Sequence, residues 1–143
     1  MEKEDKQMLN EALDYLHHTQ PVFLATCDAD QPRLRPVTLI YFKKKLWVAT
    51  GTKNAKFRQI LKNNKIELCL FAEQHKSQGY VRACGTAVIV TNQRTKRSLA
   101  ANLPFFKDFW SDRNDRRYAL LEIKIKSIEY LKPNQLKVKK FRL

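Results

Sequence analysis

No apolar run in this chain approaches the roughly 18 residues that a helix needs to cross a bilayer. The opening MEKEDKQMLN is charged where a secretory leader would carry an apolar stretch. The expectation is therefore a cytoplasmic protein with no membrane partner. Cysteine is scarce: Cys27, Cys69 and Cys84 are odd in number, far apart and each set in an apolar, strand-like run. Such spacing gives no disulfide framework and reads as buried, reduced thiols. There is no CxxC, and His17, His18 and His75 form no metal-spaced set with the thiols, so no metal site is expected. The phosphate-loop pattern GxxxxGK[ST] is missing, as are paired carboxylates for acid–base work; Asp28 and Asp30 flank a turn. With no repeat and no low-complexity linker, the 143 residues read as one domain over 1–143. Acidic groups are also few, 14 against 28 lysines and arginines, which leaves a net charge of +14. That excess implies an anionic ligand, a nucleic acid or a merely basic surface. The basic residues are spread along the chain, with a local excess from Lys132 to Arg142, so a solvated face is the simplest account.

What is present is a sequence of short amphipathic segments. Met8, Leu9, Ala12, Leu13 and Leu16 recur at helical spacing within residues 3–17. VFLATCD (22–28) and RLRPVTLIYF (33–42) read as strands joined into a hairpin by ADQP. Lys43 to Lys45 form a short turn before LWVAT (46–50). A helix is predicted from Lys53 to Asn63, with Phe57, Ile60 and Leu61 on one face and Thr52 as its N-cap. KIELCLFAE (65–73) is a fourth strand, and the polar QHKSQ leads to a long fifth, GYVRACGTAVIVT (79–91), where Gly85 marks a bulge. Helical segments over 93–102 and 104–112 precede YALLEIKIKSIEYL (118–131), whose alternation changes phase between Ile125 and Ile128. Hairpin connections exclude a parallel sheet. The fold class is mainly β with peripheral helices: a small, six-stranded antiparallel barrel.

The stretch ATGTKNAK (49–56) carries the chemistry. Helix starts normally collect acidic residues, because the helix dipole places partial positive charge there. This one carries Lys53, Lys56 and Arg58. Arg33 and Arg35 share one face of the preceding hairpin strand, since residues two apart point the same way. Pro36 removes a backbone donor, which places that strand at an edge or a bulge. Thr50, Thr52 and the free N–H groups of the helix start complete a place suited to a phosphate. From composition alone two readings stay open, an anion site and a solvated helix end.

The order of these features resembles the flavin-mononucleotide-binding split barrels, the pyridoxamine phosphate oxidase-like family, and within it the small general stress protein branch. The resemblance covers about residues 5–131 and rests on FLATCDADQPRLRPVTLIYF, LWVATGTKNAKFRQILKNNKIELCLF and GYVRACGTAVIV. It implies an FMN-binding split β-barrel flavoprotein, an oxidoreductase acting on a small molecule with the flavin at a homodimer interface. Arg35, Pro36, Val37 and Thr38 match the strand along the flavin ring, and its basic residue helps hold the phosphate. Thr50 matches the hydroxyl at the end of the next strand, and Lys56 the phosphate-binding lysine. Tyr80 and Arg82 fall in the region that the second subunit contributes. The oxidase branch carries a basic residue where this chain has Ala55 and commonly a glutamine where it has Tyr80, and its C-terminal substrate segment has no match in KKFRL. Vitamin B6 oxidation is therefore not expected.

Other features keep two readings each. Phe105, Phe106, Phe109 and Trp110, after Pro104, form either packing on the barrel or at an interface, or a wall over a ring-shaped ligand. Trp47 reads as core or interface. His75 in its polar loop reads as solvent-exposed, with a haem ligand as the rival, because some split barrels are associated with haem. Cys84 lies near the expected interface, and no lowered pKa is legible for it. No dedicated catalytic acid or base is expected; Arg35 or Arg82 would stabilise an anionic reduced flavin. Three functional classes follow: a flavin-dependent oxidoreductase, a non-catalytic flavin, deazaflavin or haem carrier or sensor, and a basic barrel binding nucleic acid through Tyr41 and Phe42.

Overall fold

The computed structural model describes residues 2–143. The elements run α1 (Lys3–Leu16), β1 (Gln20–Asp28), β2 (Gln31–Phe42), β3 (Lys45–Gly51), α2 (Ala55–Lys62), β4 (Lys65–Gln74), β5 (Ser77–Ile89), α3 (Gln93–Ala101), β6 (Tyr118–Leu131) and β7 (Lys139–Arg142). All strand pairs are antiparallel, in the order β3-β2-β1-β4-β5-β6-β7, and β3 also pairs with β6. Six strands thus close into a ring, and β7 extends it as a flap on β6. The ring is uneven: β1 meets β4 over Phe23–Ala25 only, and β2 meets β3 over Ile40–Phe42 only. This is the antiparallel barrel expected from the strand pattern, open in the manner that the resemblance to the split barrels implies.

The hairpins are tight where basic residues occupy them. Lys43 and Lys44 join β2 to β3, and His75 and Lys76 join β4 to β5, all four at positive φ. Two central residues of that conformation match the right-handed twist of the flanking strands. The expected five-residue loop QHKSQ is therefore a two-residue turn, with its polar ends drawn into the ladder. His75 is exposed at the tip.

The barrel interior is filled by inward-facing residues such as Leu24, Leu39, Val48, Leu68, Val81 and Ile123. Each buried aliphatic side chain of this kind contributes about 1.5–3 kcal/mol. α1 lays Ala12 and Leu16 on this core, and the buried Tyr130 ties it down, donating from its hydroxyl to Glu11 Oε2 at 2.8 Å. A second core lies outside the ring, where Trp47, Leu99, Phe106, Trp110, Tyr118 and Leu120 pack α3 and the following segment onto β3 and β6.

Four sequence expectations need correction. α2 starts at Ala55 and Asn54 is its N-cap, because Thr52 is held by its amide to the Arg117 carbonyl (2.8 Å) and Asn54 turns back on Gly51. The segment after α3 is a single 3₁₀ turn, Phe106–Asp108, its aromatic side chains set by packing instead of by a regular helix. The short β7 was not foreseen; its basic residues alternate about one buried Phe141. The cysteines are not all buried: Cys27 and Cys69 are half-buried and Cys84 exposed, because all three fall on outward-facing positions of their strands.

The bulge at Gly85 is where the sequence placed it. Cys84 pairs with Ser127 and Gly85 with Ile125, so Lys126 is the extra residue of β6. A Cβ at Gly85 would lie 1.9 Å from the Lys124 carbonyl oxygen, which is fixed backbone. Gly85→Ala is expected to lower stability by at least about 2 kcal/mol, read as a shift of the urea midpoint. An unchanged midpoint would show that the bulge has room for a side chain.

Candidate functional site

The site begins where β2 and β3 part. Beyond Trp47, β3 loses β2 on one edge while the other stays paired with β6, Leu46 with Ile123 through Gly51 with Tyr118. β2 continues over Gln31–Leu39 with β1 as its partner. The edge of β2 at Pro36–Thr38 therefore faces an opening, which explains how a proline is tolerated in a strand interior.

That opening is a cavity of about 420 Å³, inside the range of roughly 300–1,000 Å³ usual for small-molecule sites. Pro36, Val37 and Thr38 form one side, and Ala49, Thr50 and Gly51 the other. Asn54 and Lys56 close the end at the start of α2, and Phe105, Phe109 and Trp110 stand at the remaining wall. A Cβ at Gly51 would come within 2.9 Å of Asn54 Nδ2, so the Asn54 side chain would have to shift to admit it. The Asn54 amide donates to Thr50 Oγ1 at 3.3 Å, and no side chain caps the N-terminus of α2. The helix thus presents uncapped N–H groups and no acidic residue in its first turn.

The electrostatics are unusual for a protein interior. Burial lowers the pKa of Lys56, and the Arg35 guanidinium lowers it further. Arg35 is itself held below its ordinary value by burial and then by Arg33. Neither Lys56 nor Arg35 forms an ion pair with a carboxylate among the described residues. Arg35 is fixed by neutral acceptors: Nη1 donates to Thr26 Oγ1 (2.8 Å) and the Leu24 carbonyl (3.2 Å), and Nη2 to Gln59 Oε1 (3.0 Å). Thr26 Oγ1 also donates to Gln59 Oε1 at 2.6 Å. Two like charges held together, half-buried and without a counter-charge, favour an anion between or beside them.

The comparisons with known proteins bear on the family and the fold. The sequence profile described as pyridoxamine 5'-phosphate oxidase matches residues 8–132. The chain belongs to the pyridoxamine 5'-phosphate oxidase family. No curated protein matches it. Among solved structures, a NimC/NimA family protein from Clostridium acetobutylicum is similar at a TM-score of 0.74 and 23% identity, over 96% of this chain and 93% of that one. General Stress Protein 26 from Bacillus anthracis aligns at 0.72 and 20%, over 94% and 98%. A heme binding protein from Mycobacterium smegmatis aligns at 0.76 and 11%, over 92% of this chain and 56% of that one. At these identities the likeness is one of fold.

Within this family member, the residues singled out from sequence separate into three groups. Pro36, Val37, Thr38, Thr50 and Lys56 line the cavity, with Arg35 bonded behind it. Arg33 and Thr52 do not line it. Arg33 lies at the exposed end of the hairpin, 3.8 Å from Asp28, and Thr52 is drawn to the start of β6. Tyr80 and Arg82 sit on the outward face of β5, where Arg82 pairs with Glu67 (2.8 Å) and Glu129 (3.1 Å). Cys84 donates its thiol proton to Glu67 Oε2 at 2.9 Å, and this bond together with burial raises its pKa, so it is not an activated thiol. Tyr41 and Phe42, candidates for stacking nucleic-acid bases, are half-buried against the two cores.

Sequence reading missed Thr26, Asn54 and Gln59. Thr26 was legible in part, as the one polar residue at an inward position of VFLATCD. Gln59 lies three residues after Lys56, one helical turn on. The choice of Arg35 as its partner depends on the docking of α2 and has no local signal.

The lowered Lys56 pKa has a pH consequence. The unfolded chain binds this proton more tightly, so the penalty is present at neutral pH and fades as pH rises through the folded value of Lys56 toward 10.5. Lys56→Met removes it. The native chain is therefore expected to gain stability relative to Lys56→Met as pH rises from 7 toward 10, measured by paired thermal melts; parallel curves would contradict the assignment.

Proposed function

We propose that this protein is an FMN-binding flavoprotein, an oxidoreductase acting on a small molecule with the flavin at a homodimer interface. The observation that carries this reading is the uncompensated pair Lys56–Arg35 at the end of a cavity whose long side is a strand edge. Lys56, Thr50 and the N–H groups of α2 would hold the phosphate. The backbone of Pro36–Thr38 would lie along the ring. The flavin supplies hydride and electron transfer; the protein supplies position and electrostatics. Lys56 is the one titratable side chain in this protomer's lining, and it is assigned to the phosphate.

The second subunit has a suitable surface. Phe23, Leu34 and Phe71 are 43%, 69% and 60% exposed on the outward faces of β1, β2 and β4. Ladder pairing sets Phe23 beside Pro36 and Cys69, and Phe71 beside Tyr80. These exposed apolar side chains support a docking surface, and it adjoins the β2 edge that borders the cavity. Tyr80 and Arg82 lie on it, which fits a contribution to the partner's site. Haem is less well served, because the lining holds no His, Cys, Met or Tyr as axial ligand. A deazaflavin carrying a phosphate would meet the same groups.

Lys56→Ala is expected to weaken FMN binding at least tenfold, read by quenching of flavin fluorescence; unchanged affinity removes the phosphate assignment. Phe71→Arg is expected to convert a dimer to monomer in sedimentation velocity, and a native chain already monomeric at tens of micromolar would remove the interface.

A further inference from the structure

We propose that Phe109, braced by Phe105 and Trp110, is the ring-recognition wall of the cavity, so that the site selects phosphate esters of planar aromatic ring systems over sugar or aliphatic phosphates. This rests on the phosphate end assigned above. Phe109 is 65% exposed, yet it lines the cavity and is not scattered on the surface. Its ring stands edge-on to Phe105 at 6.2 Å and 87°, and lies 5.6 Å from Trp110. Trp110 packs in turn on Phe106 (5.0 Å) and Tyr118 (5.2 Å), both buried in the second core. The exposed ring is therefore the outermost member of an anchored aromatic stack.

The neighbouring chemistry makes the wall selective. Phe105, Phe109 and Trp110 contribute large apolar faces with few torsions to freeze. Lys56 is the charged side chain of the lining, so the cavity carries positive charge in one region and aromatic surface in another. A ligand matching both has an anionic terminus and a flat apolar body. The sugar part of a phosphate ester gains nothing from the wall. No regular helix fixes this segment, whose 3₁₀ turn is three residues long, so the aromatic contacts themselves hold Phe109 in place.

The test measures binding of FMN, riboflavin and ribose 5-phosphate to the native chain, Phe109→Ala and Phe109→Trp. FMN and riboflavin are followed by fluorescence and ribose 5-phosphate by phosphorus NMR. Phe109→Ala is expected to weaken both flavins on the order of 10- to 100-fold, leave ribose 5-phosphate unchanged and be rescued by Phe109→Trp. Equal FMN affinity in native and Phe109→Ala overturns the wall and leaves the flavin reading standing. Proportionate loss of ribose 5-phosphate overturns the wall too, since the damage is then to the phosphate end. If the native chain ignores FMN but binds adenosine or pyridoxal monophosphate in a Phe109-dependent way, the flavin reading fails and the wall stands. Binding of no aromatic phosphate overturns both.

Discussion

A strand has two edges, and β3 must use them on different partners. One edge pairs with β6 from Leu46 to Gly51, and the other pairs with β2 over Lys45–Trp47 only. Beyond Trp47 β2 leaves its edge of β3, and the wedge between the two strands is the cavity. This constraint places Pro36–Thr38 along an unpaired edge, sets Thr50 and Gly51 opposite, and delivers the chain directly into α2. It also makes the site part of the fold, because the strand that closes the barrel on one edge lines the cavity with the other.

The electrostatics follow from that geometry. α2 docks across the barrel mouth through the Arg35–Thr26–Gln59 hydrogen bonds, which place Lys56 beside a second cation with no carboxylate to balance them. A fold gains nothing from such a pair; burial and mutual repulsion both penalise it. Elsewhere the molecule neutralises its charges in ordinary ways, as along β4, β5 and β6, where Arg82 bridges Glu67 and Glu129. The contrast is what supports the proposed anion site beside Lys56. The donors of Arg35 are fixed on the protein, which in the proposed reading leaves Lys56 and the helix N-terminus to meet the ligand.

Much of this was legible in the chain. The period-two alternation gave the six long strands, and the phase change in YALLEIKIKSIEYL with Gly85 gave the bulge, because a single extra residue must flip every later side chain. The basic helix start was visible as a departure from the usual acidic bias. What was not legible depends on contacts distant in sequence. The N-cap moved from Thr52 to Asn54 because β6 takes the Thr52 amide. The cysteines surfaced because hydrophobic runs on two-faced strands do not say which face is inward when both are apolar. The aromatic cluster read first as packing and second as a wall; Phe106 and Trp110 are buried in the second core, and Phe105, Phe109 and Trp110 line the cavity.

The central claim is that the wedge between β2 and β3 receives a phosphate-bearing aromatic ligand. The most direct measurement is an amide chemical-shift map of the isotope-labelled chain titrated with FMN. The account predicts shifts concentrated at Val37, Thr38, Gly51, Ala55 and Lys56. Shifts confined instead to the outward hollow of about 880 Å³ around Glu67, Cys84 and Thr86, or no shifts at saturating FMN, would contradict it.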